Sequence, residues 1–314
     1  MKVRMFGFDI EAGASAISVK KFMNHLSTVS GAPKKIGEIE RRIFIDDAFN
    51  KNYYLGLVVT VKDQKRFCKL ENSKGQIKIT VENLTGDDKL MDFNFFVINK
   101  SNGIGLYQHY HQSCGLNVFG GQLVSCYKEF RESELNSEIE RENKNNGGIS
   151  TKKEQEIKKK YRGGLRFAQL VRKESLEKIL KEYKELKAFE FEISALDANV
   201  RNGIPLLGYA KKLREKLTFQ KGWGVSVLAS EIAKAVNQIN PKSGRVHAVN
   251  MFDEDVSLRI FNMPDNFGEE DFDDVALKLH NLDLNSFSKH KVSKEMVKIC
   301  GSDDYQHIFE ADLK

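Results

Sequence analysis

Between positions 43 and 110 the chain repeats one pattern: short runs of β-branched and aromatic residues separated by turn formers. The runs are RRIFID, YYLGLVVTV, QIKITVENL, DFNFFVIN and GIGLYQHY. Each is strand-length and rich in residues that suit a pleated, half-buried surface. The segments between them, at 72–75, 86–88 and Ser101-Asn102-Gly103, carry the Asn, Asp and Gly that turns require. The last is the clearest hairpin, because Asn-Gly tolerates the positive φ angles of a tight turn. An antiparallel sheet with few helices is expected for this half. Ahead of it VRMFGFDI reads as a strand, and Ile17, Phe22 and Leu26 follow at near-helical spacing with Ser15 or Ser18 available as N-cap.

After Phe130 the pattern changes. RESELNSEIERENKNNGGISTKKEQEIKKK has only Leu135, Ile139, Ile149 and Ile157 as substantial apolar residues. So polar a stretch buries little, and a charged linker or insertion is expected over 133–161. It would join a sheet-rich α+β domain over 1–132 to a second α+β domain over 162–314, a division that 314 residues permit. In the second half Leu176, Ile179, Leu180, Tyr183 and Leu186 form a helical stripe. AFEFEIS then alternates Phe189, Phe191 and Ile193 with Glu190 and Glu192. LLGYAKKLREKL and SVLASEIAKAVNQI are further helix candidates, while RVHAVNM and VSLRIF look like paired strands. The fold class is α+β. No fixed-period repeat suggests a solenoid or propeller.

Forty per cent hydrophobic and thirty per cent charged residues, with 21 Phe and four Pro, exclude global disorder. No run approaches the roughly 20 apolar residues of a membrane span, and MKVRMFGFDIEAG lacks the apolar core of a signal peptide, so a cytoplasmic protein is expected. Cys68, Cys114, Cys126 and Cys300 have no paired CxxC spacing, which points to reduced thiols. Charge is segregated. Residues 152–173 hold nine basic residues against Glu154 and Glu156, a net +7 that exceeds the whole chain's +6. Between Asp253 and Asp274 nine acidic residues face Arg259 alone. This acidic side could meet a basic partner, or it could be a helix start, where the backbone dipole favours carboxylates.

Asp9 and Glu11 in FDIEAG share one face of a strand and resemble the opening motif of two-metal exonucleases. That chemistry needs further converging carboxylates, and HNLDLNSF at 280–287 matches a second motif only loosely. His109, His111 and Cys114 have zinc-ligand types at close spacing but no fourth ligand. FGGQ, RGGLR and KGWGVS lack the strand, loop and helix order of a nucleotide-binding glycine loop, and no GxSxG marks a nucleophile. Neither a metal nor a small-molecule cofactor is expected.

The basic stretch is the strongest functional feature. Lys158, Lys159, Lys160, Arg162, Arg166, Arg172 and Lys173 are the candidate nucleic-acid contacts, since lysine and arginine neutralise phosphates and release counterions whatever the base sequence. Gly163 and Gly164 would let backbone N–H groups approach a phosphate, and Tyr161 and Phe167 would stack on unpaired bases. The plainer reading is a solvated helix and connector. From Asn52 to Leu123 the segments YYLGLVVTVKDQKRFCKL, GQIKITVENLTGDDKLMDFNFFVIN and GIGLYQHYHQSCGLNVFGGQL resemble the RexA-like phage exclusion proteins, soluble DNA-binding proteins of temperate phage. The general plan is also similar to the B component of the Kiwa anti-phage systems, which acts beside a membrane partner. The resemblance implies a soluble DNA-binding component of a bacterial defence or exclusion system, binding duplex DNA with low sequence specificity. A homodimer and a membrane-protein partner complete the expectation. A metal-dependent nuclease using Asp9 and Glu11, and a protein-interaction scaffold, are the alternatives.

Overall fold

Four of the five strand-like runs pair with one another in antiparallel ladders, and the fifth, QIKITVENL, pairs with the segment just before it. The computed structural model describes residues 1–310 except 38, 63–65, 74–75, 87, 147, 173–175, 195–211, 221, 240, 242, 252, 254 and 262–265. Strand β1 (Lys2–Ala12) leads to helix α1 (Val19–Thr28), which is capped by Ser18, whose Oγ accepts from the Lys21 amide at 3.1 Å. Then come β2 (Pro33–Ile36), β3 (Ile39–Asp46), β4 (Tyr53–Lys62), β5 (Arg66–Ser73), β6 (Gln76–Asn83), β7 (Leu90–Asn99) and β8 (Ile104–Tyr110). The hairpin turn between β7 and β8 places Gly103 at φ +77°, where a Cβ would come within 2.3 Å of the Ile10 carbonyl oxygen, so glycine alone allows this turn to lie on β1. Strands β5 and β6 form a separate two-stranded hairpin.

The second half contains α2 (Leu116–Asn146), α3 (Thr151–Lys160), β9 (Leu165–Arg172), α4 (Leu176–Leu180), β10 (Glu185–Ser194), β11 (Lys212–Thr218) and α5 (Val225–Ile239). These are followed by β12 (Ser243–Val249), β13 (Asp255–Phe261), β14 (Glu269–Asp271), α6 (Phe272–Lys278), a 3-10 helix (Leu284–Lys289), α7 (Lys291–Cys300) and α8 (Gln306–Phe309). One sheet runs through both halves in the order β11-β10-β12-β13-β9-β1-β8-β7-β4-β3-β2, with β14 also on β1. Strands β9 and β13 are parallel, and the other described pairings are antiparallel. The α+β class is as expected, and the 1–132 and 162–314 segments meet edge to edge where β1 pairs with β9.

Alternation along the strands feeds cores on both faces. Phe8, Phe96 and Tyr107 pack with Phe22 of α1 and with Phe119 and Tyr127 of α2. Met5, Leu57, Phe95 and Leu106 face the other way, toward Val275, Met296 and Phe309 of α6, α7 and α8. A third core sets Leu176 and Leu180 of α4 and Ile232 and Val236 of α5 against Phe189, Val246 and Leu258. Strand β9 contributes to all three, through Leu165, Leu170 and Val171.

Three sequence expectations change. Within 133–161, where a polar charged linker or insertion was expected, residues 133–146 continue α2 and Thr151–Lys160 form α3, and the few apolar residues there find a core. Leu135, Ile139 and Ile149 pack on the core, and Ile157 and Tyr161 are buried. Within LLGYAKKLREKL, positions 206–211 lie outside the described residues, and Lys212–Thr218 is edge strand β11 rather than helix. Its ladder with β10, aided by Lys216–Glu190 at 2.9 Å and Arg214–Glu192 at 3.3 Å, overrides helix propensities worth about a few tenths of a kcal/mol per residue. The stripe from Leu176 ends as a helix at Leu180, and Leu186 belongs to β10.

The acidic segment is held within the chain. Asp271 caps α6 by accepting from the Asp273 amide at 3.1 Å, Asp273 and Asp274 occupy its first turn, and Glu269 meets Arg4 at 2.8 Å. Asp265 and Glu254 lie outside the described residues.

The buried side chain of α3 provides a test. Ile157→Ala should lower the stability read from urea denaturation by about 2–4 kcal/mol, the usual cost of such a core deletion. A change within about 0.5 kcal/mol would mark α3 as a solvated connector.

Candidate functional site

Register alone brings a set of charged residues together. Asp9 and Glu11 alternate along β1 onto one face, where Glu11 lies opposite Arg166 of β9. On the strands beyond, Arg259 of β13 pairs with Arg245 of β12, Arg245 with Glu190 of β10, Glu190 with Lys216, and Glu192 with Arg214 of β11. Directly opposed residues share a face, so these side chains all lie on the side turned away from α4 and α5.

Asp9 is the centre of this set. Its Oδ2 accepts from Arg259 Nη1 at 2.6 Å and from Arg245 Nη2 at 2.8 Å, with the Asp9, Arg259 and Arg245 side chains only 2%, 9% and 12% exposed. Arg245 extends its other nitrogen, Nη1, to Glu11 Oε2 at 3.3 Å, and Arg166 donates to Glu11 Oε1. Burial lowers the pKa of Arg259, and the Asp9 carboxylate opposes that shift. Asp9 Oδ1 is buried and has no hydrogen-bond partner among the described residues.

The group lines a cleft of about 180 Å³ that also takes in Glu190, Glu192, Arg214 and Gly244. Beside it, His247 Nδ1 lies 3.2 Å from Ser257 Oγ, and its Nε2 is 3.2 Å from Glu190 Oε1 but out of hydrogen-bonding alignment. Burial lowers the His247 pKa against the pull of Glu190. Burial by itself would raise the Glu190 pKa, yet Lys216 and His247 hold it below the ordinary carboxylate value.

The basic candidates divide. Lys158, Lys159 and Lys160 end α3, and Arg162 follows it, all exposed. Lys158 pairs with Glu154 and Lys160 with Glu138 at 3.1 Å, whereas Lys159, Arg162, Lys152 and Lys153 have no side-chain partner among the described residues. Arg166 belongs instead to the cleft. The Arg172 side chain and the whole of Lys173 lie outside the described residues.

Several proposed contacts are structural. Tyr161 is buried, and its hydroxyl donates to Glu138 at 2.8 Å, while Phe167 is half-buried and stacks on Phe8 at 5.3 Å as part of the core. Gly163, at φ +115°, lies against Gly13, where a Cβ would come within 2.6 Å of the Gly13 carbonyl carbon. Its use is a close approach of two backbone segments.

The metal motifs do not assemble into ligand sets. Among the described residues no group of three or more His, Cys, Asp and Glu side chains is placed to hold a metal ion. Asp9 and Glu11 are surrounded by guanidinium groups, which a divalent cation would have to displace. His109 is half-buried with its ring 6.1 Å from that of Phe6, and Cys114 is buried.

Sequence reasoning passes over Arg214, Arg245 and Arg259 as site residues. Their signal is local: charged residues at alternate positions of otherwise apolar strands mark one polar sheet face. No protein-family model matches the chain, and no curated protein is significantly similar to it.

Asp9→Asn should lower stability by about 3–5 kcal/mol, because it leaves two nearly buried guanidinium groups without their counter-charge. Glu11→Gln, at a half-exposed position, should cost under about 1 kcal/mol in the same urea titration. A second prediction concerns acid. Because the folded His247 pKa is depressed, the unfolded chain binds the proton more readily, so its stabilising contribution is present above pH ~6.5 and lost as pH falls. The denaturation midpoint of His247→Gln should therefore decline less steeply than that of the parent between about pH 6.5 and 5.

Proposed function

We propose that this chain binds duplex DNA with little base preference through the exposed basic residues along α3 and through Arg162 just beyond it. The observation that supports this reading most is the imbalance of pairing there. Lys152, Lys153, Lys159 and Arg162 stand exposed without a carboxylate partner among the described residues. Uncompensated cations on a folded, solvent-facing helix neutralise phosphates without prior ordering of a flexible tail. Lys158, Lys160 and Arg166 already hold carboxylates and contribute less. The resemblance to phage exclusion proteins adds a context: a soluble DNA-binding component of a defence system that signals DNA occupancy to a partner. A second copy of the chain and a membrane protein are the partners in that reading. No helix among the described residues is long and apolar enough to cross a membrane, so on this reading membrane contact is left to the partner.

Salt dependence tests the reading. Four phosphate contacts at about −0.9 each give a slope of log affinity against log salt of roughly −3 to −4 in duplex titrations. Lys159→Gln with Arg162→Gln should flatten the slope by about two units and weaken all sequences alike. Lys158→Gln with Lys160→Gln should change it less, since Glu154 and Glu138 already offset those charges. An unchanged slope in the first variant, with folding intact, would place the DNA surface elsewhere. Absence of any DNA retention would favour the protein-interaction scaffold.

A further inference from the structure

We infer that the arginine-lined cleft over β1, β9, β10 and β12 binds a phosphate monoester carried on a hydroxyl-bearing group, such as a sugar. This site goes beyond the DNA surface of α3 and does not depend on it.

Three observations lead to that ligand. First, three guanidinium groups, those of Arg166, Arg245 and Arg259, gather on two carboxylates, Asp9 and Glu11, where Asp9, Arg245 and Arg259 are almost wholly desolvated. The neighbouring Glu190 and Glu192 are already met by Lys216 and Arg214. The lining as a whole is balanced, four guanidinium groups against the carboxylates of Asp9, Glu11, Glu190 and Glu192, but its two nearly buried guanidinium groups, Arg245 and Arg259, both lean on the buried carboxylate of Asp9, and an entering anion lowers the cost of desolvating them. Second, Arg166 and Arg214 line the cleft with side chains 45% and 68% exposed, and among the described residues each donates a single hydrogen bond, to Glu11 and Glu192 respectively. The carboxylates hold the guanidinium planes in place and leave most of their N–H groups available to a second acceptor. Third, Asp9 Oδ1 is an acceptor buried beside these donors, with nothing among the described residues bonded to it. A bare anion leaves it unsatisfied, whereas a hydroxyl on the ligand, directly or through one water, completes it.

Size and charge narrow the class. The cleft of about 180 Å³ has the volume of roughly six waters, enough for a phosphate and part of a sugar and far too small for a duplex. A monoester presents three terminal oxygens and close to two negative charges, so it can bridge Arg166, Arg214 and Arg245, while a backbone diester offers two oxygens and one charge. A nucleic-acid end with a 5′-phosphate and a free mononucleotide share this chemistry.

Calorimetric titration distinguishes them. The probes are adenosine 5′-monophosphate and one single-stranded oligonucleotide with a 5′-phosphate or a 5′-hydroxyl. Arg214→Gln, at an exposed edge position, and Arg245→Lys should each weaken phosphate-dependent binding at least about tenfold, the loss of one charge-assisted hydrogen bond. Lys159→Gln with Arg162→Gln should leave mononucleotide binding unchanged. Binding of adenosine 5′-monophosphate that depends on Arg214 supports a free nucleotide as ligand. A preference for the 5′-phosphate oligonucleotide, also dependent on Arg214, supports a nucleic-acid end. Equal affinity for both oligonucleotides with no mononucleotide binding, or binding unaffected by both cleft variants, overturns the site. Salt-dependent duplex binding would survive that result, so failure of the cleft and failure of the α3 surface are separable.

Discussion

The pairing of β1 with β9 is the interaction on which the rest of the architecture depends. It joins the strands built from the first 110 residues to those of the last 150, and it makes one sheet of them. β9 then reaches every core of the molecule, through Leu165, Leu170 and Val171. The buried contacts of Asp9 with Arg245 and Arg259 lie across this junction and tie β1 to β12 and β13 as well. Such contacts add little stability compared with a well-packed apolar core, but they penalise alternatives strongly. A slip of one residue in β1 would turn Asp9 toward the opposite face and leave two guanidinium groups without their carboxylate.

The treatment of charge follows from the same geometry. Acidic residues of the C-terminal third are used internally: Asp271 as a helix cap, Glu269 with Arg4, and Glu270 with Lys278 at 2.5 Å. Basic residues at the end of α3 are compensated only in part. The exposed basic residues of α3 thus make an open positive surface, while the arginines of β9, β11, β12 and β13 are folded into a cleft with carboxylates. The first arrangement suits a long polyanion met on an open surface, and the second suits a small anion that can be enclosed.

Much of the fold follows from local rules. Runs of β-branched and aromatic residues and Asn-Gly punctuation determine β4, β7 and β8 and the hairpin between the last two. Ser18 and the spacing of Ile17, Phe22 and Leu26 locate α1, and the alternation of RVHAVNM and VSLRIF locates β12 and β13. Asp9, Glu11 and Arg166 stand out as charged residues within or beside apolar, strand-like runs. The stretch after Phe130 is misleading because its four apolar residues look too few to build a core. They need only to complete one that Phe22, Phe119 and Tyr127 have already built.

Tertiary structure decided what lies beside what. Nothing local pairs residue 11 with residue 166, or residue 9 with residues 245 and 259, since strand partners far apart in sequence are selected by burial of whole faces. The helix-prone KLREKL became an edge strand for that reason, and the carboxylates of a nuclease-like motif became acceptors for guanidinium groups. Residue type and alternation set which side chains are charged and which face of a strand they occupy. The long-range order of strands set their partners, because only the assembled sheet brings arginines from four strands to one cleft.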